Sequence, residues 1–159
     1  MVVLSTRNIV PTTAMTHEQM LDMAWAAGLA DGEGCISIVK QSFKCGRRPT
    51  HRLRFEMVQN NRETLMSFAA AVGVRARLYP VKRTATQNRQ VYLLAFDGMC
   101  AHEAISRLAP YLRRKRPEAD LAMKYVIEGR VGWHPGPRGF PPELWLLRER
   151  YFRKLQRLK

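Results

Sequence analysis

Between residues 50 and 57 the chain reads THRLRFEM, with Leu53, Phe55 and Met57 on one parity and Arg52, Arg54 and Glu56 on the other. That is the alternation of a strand with one buried face. The same period returns in VRARLYP at 74–80, where Val74, Ala76 and Leu78 oppose Arg75, Arg77 and Tyr79. Each strand has a partner across a polar, basic connection: CISIVKQ at 35–41, rich in β-branched residues, through SFKCGRRPT, and QVYLLAF at 90–96 through VKRTATQNR. Both parities of QVYLLAF are apolar, so its inward face stays open. The pattern predicts two hairpins, each with an apolar face and at least one arginine-lined face.

Helices separate and follow the hairpins. THEQ at 16–19 has the form of a capping box, with Thr16 as N-cap and Gln19 three positions on, and opens a helix from Glu18 to about Ala30. Asp31-Gly32-Glu33-Gly34 is expected to end it with residues that tolerate unusual backbone angles. Further helices are expected at about 61–72, at 101–108 before Pro110, and from Pro117, a favoured first helical position, to Glu128. GRVGWHPGPRGFPP at 129–142 must be irregular. A basic amphipathic helix then runs from Glu143 to near Leu158, with Trp133, Trp145 and Tyr151 expected to pack this tail onto the domain. The order implies an α+β domain whose curved antiparallel sheet rests one face on helices and leaves the other free.

Charge narrows the partners. The 159 residues carry 27 Lys+Arg against 13 Asp+Glu, a net charge of +14, which points to a polyanion. Residues 35–96 hold twelve bases and two acids, and residues 129–159 eight and two, whereas residues 1–34 hold one base and four acids. A membrane surface is disfavoured because the arginines of the middle segment alternate on strands instead of lining an amphipathic helix. No apolar run spans a bilayer and VVLSTRNIVPTTAM lacks the pattern of a signal peptide, so an intracellular protein, in cytoplasm or an organelle matrix, is expected. Cys35, Cys45 and Cys100 have no CxxC spacing and read as reduced thiols. His17, His51, His102 and His134 are too scattered for a zinc site.

The acidic opening segment holds WAAGLADGEG at 25–34, a small-residue helix ending in glycines and carboxylates directly before a hairpin. This stretch resembles the signature of the LAGLIDADG homing endonucleases, and αββαββα resembles that family's core order. FEMVQNN at 55–61 and LAPYLRRKRPEA at 108–119 extend the resemblance, so that it covers about residues 17–128. Residues 1–15 are expected to be an extension, 16–128 the endonuclease domain, and 129–159 a connection and tail helix. Ala30 stands where the family has a larger apolar residue, and Glu33 where it usually has Asp. Only one copy of the motif is present; FDGMC at 96–100 has no small-residue helix before it and carries Met99 in place of the acid.

The resemblance implies a site-specific endonuclease that makes a metal-dependent double-strand cut in a long, roughly palindromic duplex as a homodimer, encoded within an intron. It implies Glu33, Gln59 and Lys115 as active-site residues, with Glu33 and the Gly32 carbonyl at Mg²⁺, which Mn²⁺ or Ca²⁺ could replace. The chemistry is intelligible by itself: phosphodiester hydrolysis benefits from a divalent ion that stabilises charge and supplies hydroxide, and Mg²⁺ is held by one or two carboxylates plus substrate phosphate oxygens. One carboxylate per chain is a poor site; two helices packed through Ala24, Ala27 and Gly28 would supply a pair. Asp31 is read as a cap on its helix end. In the family's register Ser37, Val39 and Gln41 face the major groove, joined by Arg52, Arg54, Glu56, Arg75 and Arg77. Lys44, Arg47, Arg48, Lys82, Arg83 and Arg89, in the connections, suit phosphate. The alternatives are an intron-splicing factor that binds RNA, as some members of the family do, and an inactive DNA-binding protein on the same scaffold.

Overall fold

A computed structural model describes residues 2–4, 15–42, 48–82, 89–133 and 139–159. The elements run β1 (Val2–Leu4), α1 (His17–Glu33), β2 (Gly34–Gln41), β3 (Thr50–Gln59), α2 (Arg62–Val72), β4 (Ala76–Pro80), β5 (Tyr92–Asp97), α3 (Met99–Leu108), α4 (Arg116–Glu128) and α5 (Pro142–Arg157). The strands form one antiparallel sheet in the order β1-β4-β5-β3-β2. The two hairpins expected from the alternation supply four of these five strands, β2 at one edge. The first residues do more than extend the chain: Val2–Leu4 pairs with Ala76–Leu78 as an added edge strand.

Local signals place the helices. Thr16 and Gln19 form the reciprocal capping box, with Gln19 N–H donating to Thr16 Oγ1 at 3.2 Å and Thr16 N–H to Gln19 Oε1 at 2.9 Å. Asn61 caps α2 by accepting from the N–H groups of Glu63 and Thr64, and Gly73 ends it in the left-handed region at φ 66°. Gly73 suits that position because a Cβ there would be strained.

The core lies between one sheet face and the helices. Ile36, Ile38, Leu53, Phe55, Met57, Ala76, Leu78, Leu94 and Phe96 are all buried. Phe55 stacks on Phe96 at 5.6 Å, and Phe68 of α2 meets both rings edge-on or tilted. Register settles the inward face of β5: Leu94 lies opposite Met57 and Phe96 opposite Phe55. Leu93, Ala95 and Asp97 therefore share the other face with the arginines. Among the described residues no helix is long and apolar enough to cross a membrane.

The tail helix is fixed by buried polar groups. Glu149 accepts from Lys40 Nζ at 2.9 Å and stands 2.9 Å from Nε2 of His51, whose side chain is fully buried. Arg148 donates to the carbonyls of Gly129 and Arg130 at the end of α4, and Trp145 Nε1 donates to the Pro49 carbonyl. Tyr151 packs on Tyr125 at 5.8 Å and donates to Glu128. Trp145 and Tyr151 thus dock the tail as expected, whereas Trp133 is largely exposed and touches Phe140.

Candidate functional site

The acidic motif closes α1 instead of following it. The helix continues through Glu33, and Gly34 turns straight into β2 with extended angles of φ −73° and ψ 152°. None of Gly28, Gly32 and Gly34 has positive φ, so the expected role of unusual backbone angles is replaced by one of space. A Cβ on Gly34 would sit 2.6 Å from the Ala30 carbonyl oxygen and 2.9 Å from Phe55 Cε2. Only glycine lets the helix enter the strand at this point. Around Gly28 and Gly32 the space is open, with nothing within 4 Å of an added Cβ.

This open strip is the outer face of α1. Leu21, Ala24, Trp25, Gly28 and Gly32 are exposed, and they fall on one side of a 3.6-residue helix. Ala27, expected on the same packing face, is instead fully buried with Met23, Ala26 and Ala30 in the chain's own core. One residue is a 100° rotation, which moves Ala27 off the outer stripe; Ala24 and Gly28 stay on it.

Glu33 sits at the C-terminal end of α1 with its side chain exposed, and no base occupies the last turn. The last carbonyls of a helix lack intrahelical partners and form the negative end of its dipole, so carboxylate and backbone together favour a cation here. Among the described residues no cluster of three or more His, Cys, Asp or Glu could hold a metal by itself. One carboxylate with backbone carbonyls falls short of the oxygen donors that Mg²⁺ takes.

Asp31 ties this end of α1 to the turn before α4. Its carboxylate accepts from the backbone N–H groups of Arg113 and Lys115, both at 2.8 Å, and its carbonyl accepts from Arg114 Nε at 2.8 Å. Burial acts to raise the Asp31 pKa, but the backbone donors of Lys115, Arg113 and Arg114 outweigh it and hold the carboxyl below its usual range. Asp31 thus caps a distant turn and not its own helix. Through it Lys115, a buried lysine, is brought beside Gly34: both line a cleft of about 230 Å³ together with Cys35, Glu118 and Lys159. Lys159 Nζ donates to Cys35 Sγ at 3.0 Å, a contact with no counterpart in the sequence patterns. Gln59, half-buried, ends β3 two residues past the Met57–Gly34 pair and lies opposite Tyr92 of β5.

The open sheet face carries the expected arginine row. Ser37 lies opposite Arg54 and Val39 opposite Arg52, with Glu56 opposite Cys35 and Ala95, and Gln41 exposed at the strand end. Asp97, the last residue of β5, stands within this row opposite Arg54. Arg54 Nε donates to Asp97 Oδ1 at 2.9 Å, Arg77 Nη2 donates to Oδ2, and Arg52 Nε is 3.9 Å from Oδ1. The signal in the sequence was parity: Leu93, Ala95 and Asp97 alternate onto the face opposite Leu94 and Phe96. Arg54 also lies 3.7 Å from Glu56.

The remaining predicted contacts are peripheral. Arg75 precedes β4 and is exposed, as are Lys82 and Arg89. The Arg48 guanidinium lies 5.7 Å from the Trp145 ring, turned toward α5. Lys44, Arg47 and Arg83 fall outside the described residues, as do Cys45 and His134.

No protein-family model matches the chain, and no curated protein matches it in sequence. Solved structures match its fold. The homing endonuclease I-CvuI, in complex with its target in the presence of Ca, superposes with a TM-score of 0.72 over 91% of this chain and 85% of its own, at 20% identity. The archaeal intron-encoded homing endonuclease I-Vdi141I, complexed with DNA, gives 0.66 over 89% and 86%, at 14% identity. The LAGLIDADG homing endonuclease I-SmaMI, bound to cleaved DNA, gives 0.62 over 90% of this chain but 47% of its own, at 14% identity. Over most of the chain and at 14–20% identity these matches show the fold: it is that of the LAGLIDADG homing endonucleases.

Proposed function

We propose that the chain is a DNA endonuclease that acts as a homodimer, cutting both strands of a roughly palindromic duplex in a divalent-metal-dependent reaction. The observation that carries this reading is the exposed Glu33 at the end of a helix whose outer face is small and unoccupied, beside a basic sheet face. Two copies packed through Leu21, Ala24, Trp25, Gly28 and Gly32 bring two Glu33 carboxylates together. C2 symmetry in the protein then matches a palindrome in the target.

The Glu33 carboxylate and the Gly32 carbonyl of each copy would hold Mg²⁺, which would supply charge stabilisation and an activated water. Similar folds have been solved with I-CvuI in the presence of Ca and of Mg. The chain's own residues do the rest. Arg52, Arg54 and Arg77 read base edges from the open sheet face, and Arg75, Lys82 and Arg89 hold phosphates at its margins. Lys115, whose backbone N–H is held by Asp31, lines the cleft and lends its ammonium to the charge that develops on the scissile phosphate and its departing alkoxide oxygen, while Gln59 orients groups through its amide. The exposed Arg150, Arg153, Lys154 and Arg157 of α5 lie on the far side of the sheet from that row. This second basic surface favours intron RNA as an alternative partner.

The test is cleavage of a plasmid carrying the uninterrupted sequence that spans this gene's insertion site, with Mg²⁺ or EDTA, for wild type and Glu33→Gln. A single double-strand cut that needs both metal and Glu33 is the expected result. Tight, metal-independent binding without a cut sinks the endonuclease reading and directs attention to RNA splicing.

A further inference from the structure

A face built to meet a polyanion gains nothing from a buried carboxylate at its centre, yet Asp97 is there with its side chain only 7% exposed. Its position is fixed from both sides. Register sets it directly opposite Arg54, and Arg77, opposite Ala95, lies on the diagonal. After it the chain turns through Gly98 at φ 57°, whose N–H donates to the Leu53 carbonyl at 2.8 Å. One carboxylate oxygen takes Nε of Arg54 and the other takes Nη2 of Arg77. Arg54 and Arg77 stay partly open to solvent, with side-chain exposures of 27% and 42%.

A guanidinium carries five N–H donors in a rigid planar fork. Binding to Asp97 restricts the plane of each guanidinium and leaves further donors on side chains that stay partly open to solvent, with Nη1 of Arg54 also 3.7 Å from Glu56. Bidentate contact with guanine O6 and N7 requires two donors of fixed direction, whereas a phosphate accepts a guanidinium in many orientations. The buried charge also cancels part of the positive field that holds any duplex regardless of sequence.

We propose that Asp97 is a specificity-determining positioning residue: it clamps Arg54 and Arg77 so that their free edges address bases in the major groove, and it withholds them from phosphate. This rests on the DNA-reading function proposed above. It makes a distinctive claim, that removing an acid weakens discrimination while strengthening attachment to unrelated DNA.

The experiment selects binders of wild type from a pool of duplexes with randomised positions. It then titrates wild type, Asp97→Asn, Asp97→Glu, Arg54→Ala and Arg77→Ala against the selected duplex, its single-base variants and an unrelated duplex, over a range of salt. Thermal melting is followed for each protein. For Asp97→Asn, discrimination is expected to fall about tenfold at the positions that Arg54→Ala and Arg77→Ala also relax, and to hold elsewhere. Unrelated duplex is bound more tightly, with a salt slope per protomer steeper by about one. Asp97→Glu, which keeps the charge but displaces the clamp, retains the wild-type salt slope with reduced discrimination, and carries the test if the Asn variant does not fold. Wild-type base preferences in both variants overturn the proposal, as does a loss spread evenly over all positions in step with a lower melting temperature. A wild type that selects no sequence overturns the DNA-reading function and this inference with it, whereas a wild type that selects one while the variants match it overturns the inference alone.

Discussion

The two terminal helices of the domain treat charge and surface in opposite ways. α5 buries Glu149 and surrounds it with Lys40, His51 and Arg153, so its carboxylate is paired within the chain. α1 leaves Glu33 in solvent and presents Trp25, Leu21 and two glycines outward, with open space around the glycines among the described residues. Burying a charge without partners is costly, so an internally closed cluster marks an anchor of the fold. An exposed acid beside an uncovered apolar strip has no such role in the single chain, and its worth must be found in what binds there. Stability and function are thus separated along the molecule.

That separation can be broken variant by variant, and the largest effect falls on the anchor. Glu149→Ala leaves Lys40 and buried His51 unpaired and is expected to lower folding stability by about 3 kcal/mol, at the lower end of the range for buried pairs because Lys40 is about one-third exposed. Urea denaturation measures it, and an unchanged midpoint would remove α5 from the role of anchor. Gly34→Ala comes next, at about 1–3 kcal/mol, because its methyl group meets the Ala30 carbonyl and the Phe55 ring. The same measurement checks it.

Acid sharpens the contrast by acting on the anchor first. Burial lowers the His51 pKa from its ordinary 6.5 despite Glu149, which raises it. The Lys40 ammonium, aided by His51 and Arg153, brings the Glu149 carboxyl down to about 2 from 4.5, against the burial that opposes it. Both groups bind protons more readily unfolded than folded, so stability falls as pH drops below about 6.5, and further from 4.5 toward 2. In Glu149→Gln the second part of that loss should flatten, as followed by thermal melting across pH.

On α1 the signs change. Gly28→Ala has room for its methyl group and a better helix former, so the folded chain should gain up to about 1 kcal/mol while self-association, measured by sedimentation velocity, weakens. Glu33→Gln should leave stability within about 0.5 kcal/mol and affect only metal-dependent cleavage. A large melting shift for Glu33→Gln would erase the distinction between the two helices.

Much of the fold was legible because its signals are local. A capping box at Thr16–Gln19, alternation in THRLRFEM and Val74-Ala76-Leu78, and Pro and Gly near helix ends each act within a few residues. Helix bounds shifted where a local rule met a tertiary one: α1 outruns its expected end at Ala30 because Gly34 clears the space for a direct entry into β2. The candidate site was half legible. Glu33 and the arginine parity stand in the sequence, but Ala27 was assigned to the outer face because small residues look alike until burial separates them.

By itself the sequence determined the order and type of the elements from α1 onward, the basic character of one strand face and the place of the acidic motif, since periodicity and caps depend on neighbours one or two turns away. Only the tertiary structure decided that Asp97 would clamp arginines 20 and 43 positions away, that Asp31 would hold Lys115 from 84 positions away, and that His51 and Glu149 would meet across 98. A charge carries no record of its partner along the chain. The partner is chosen when strand register and helix packing bring two side chains into the same water-poor space.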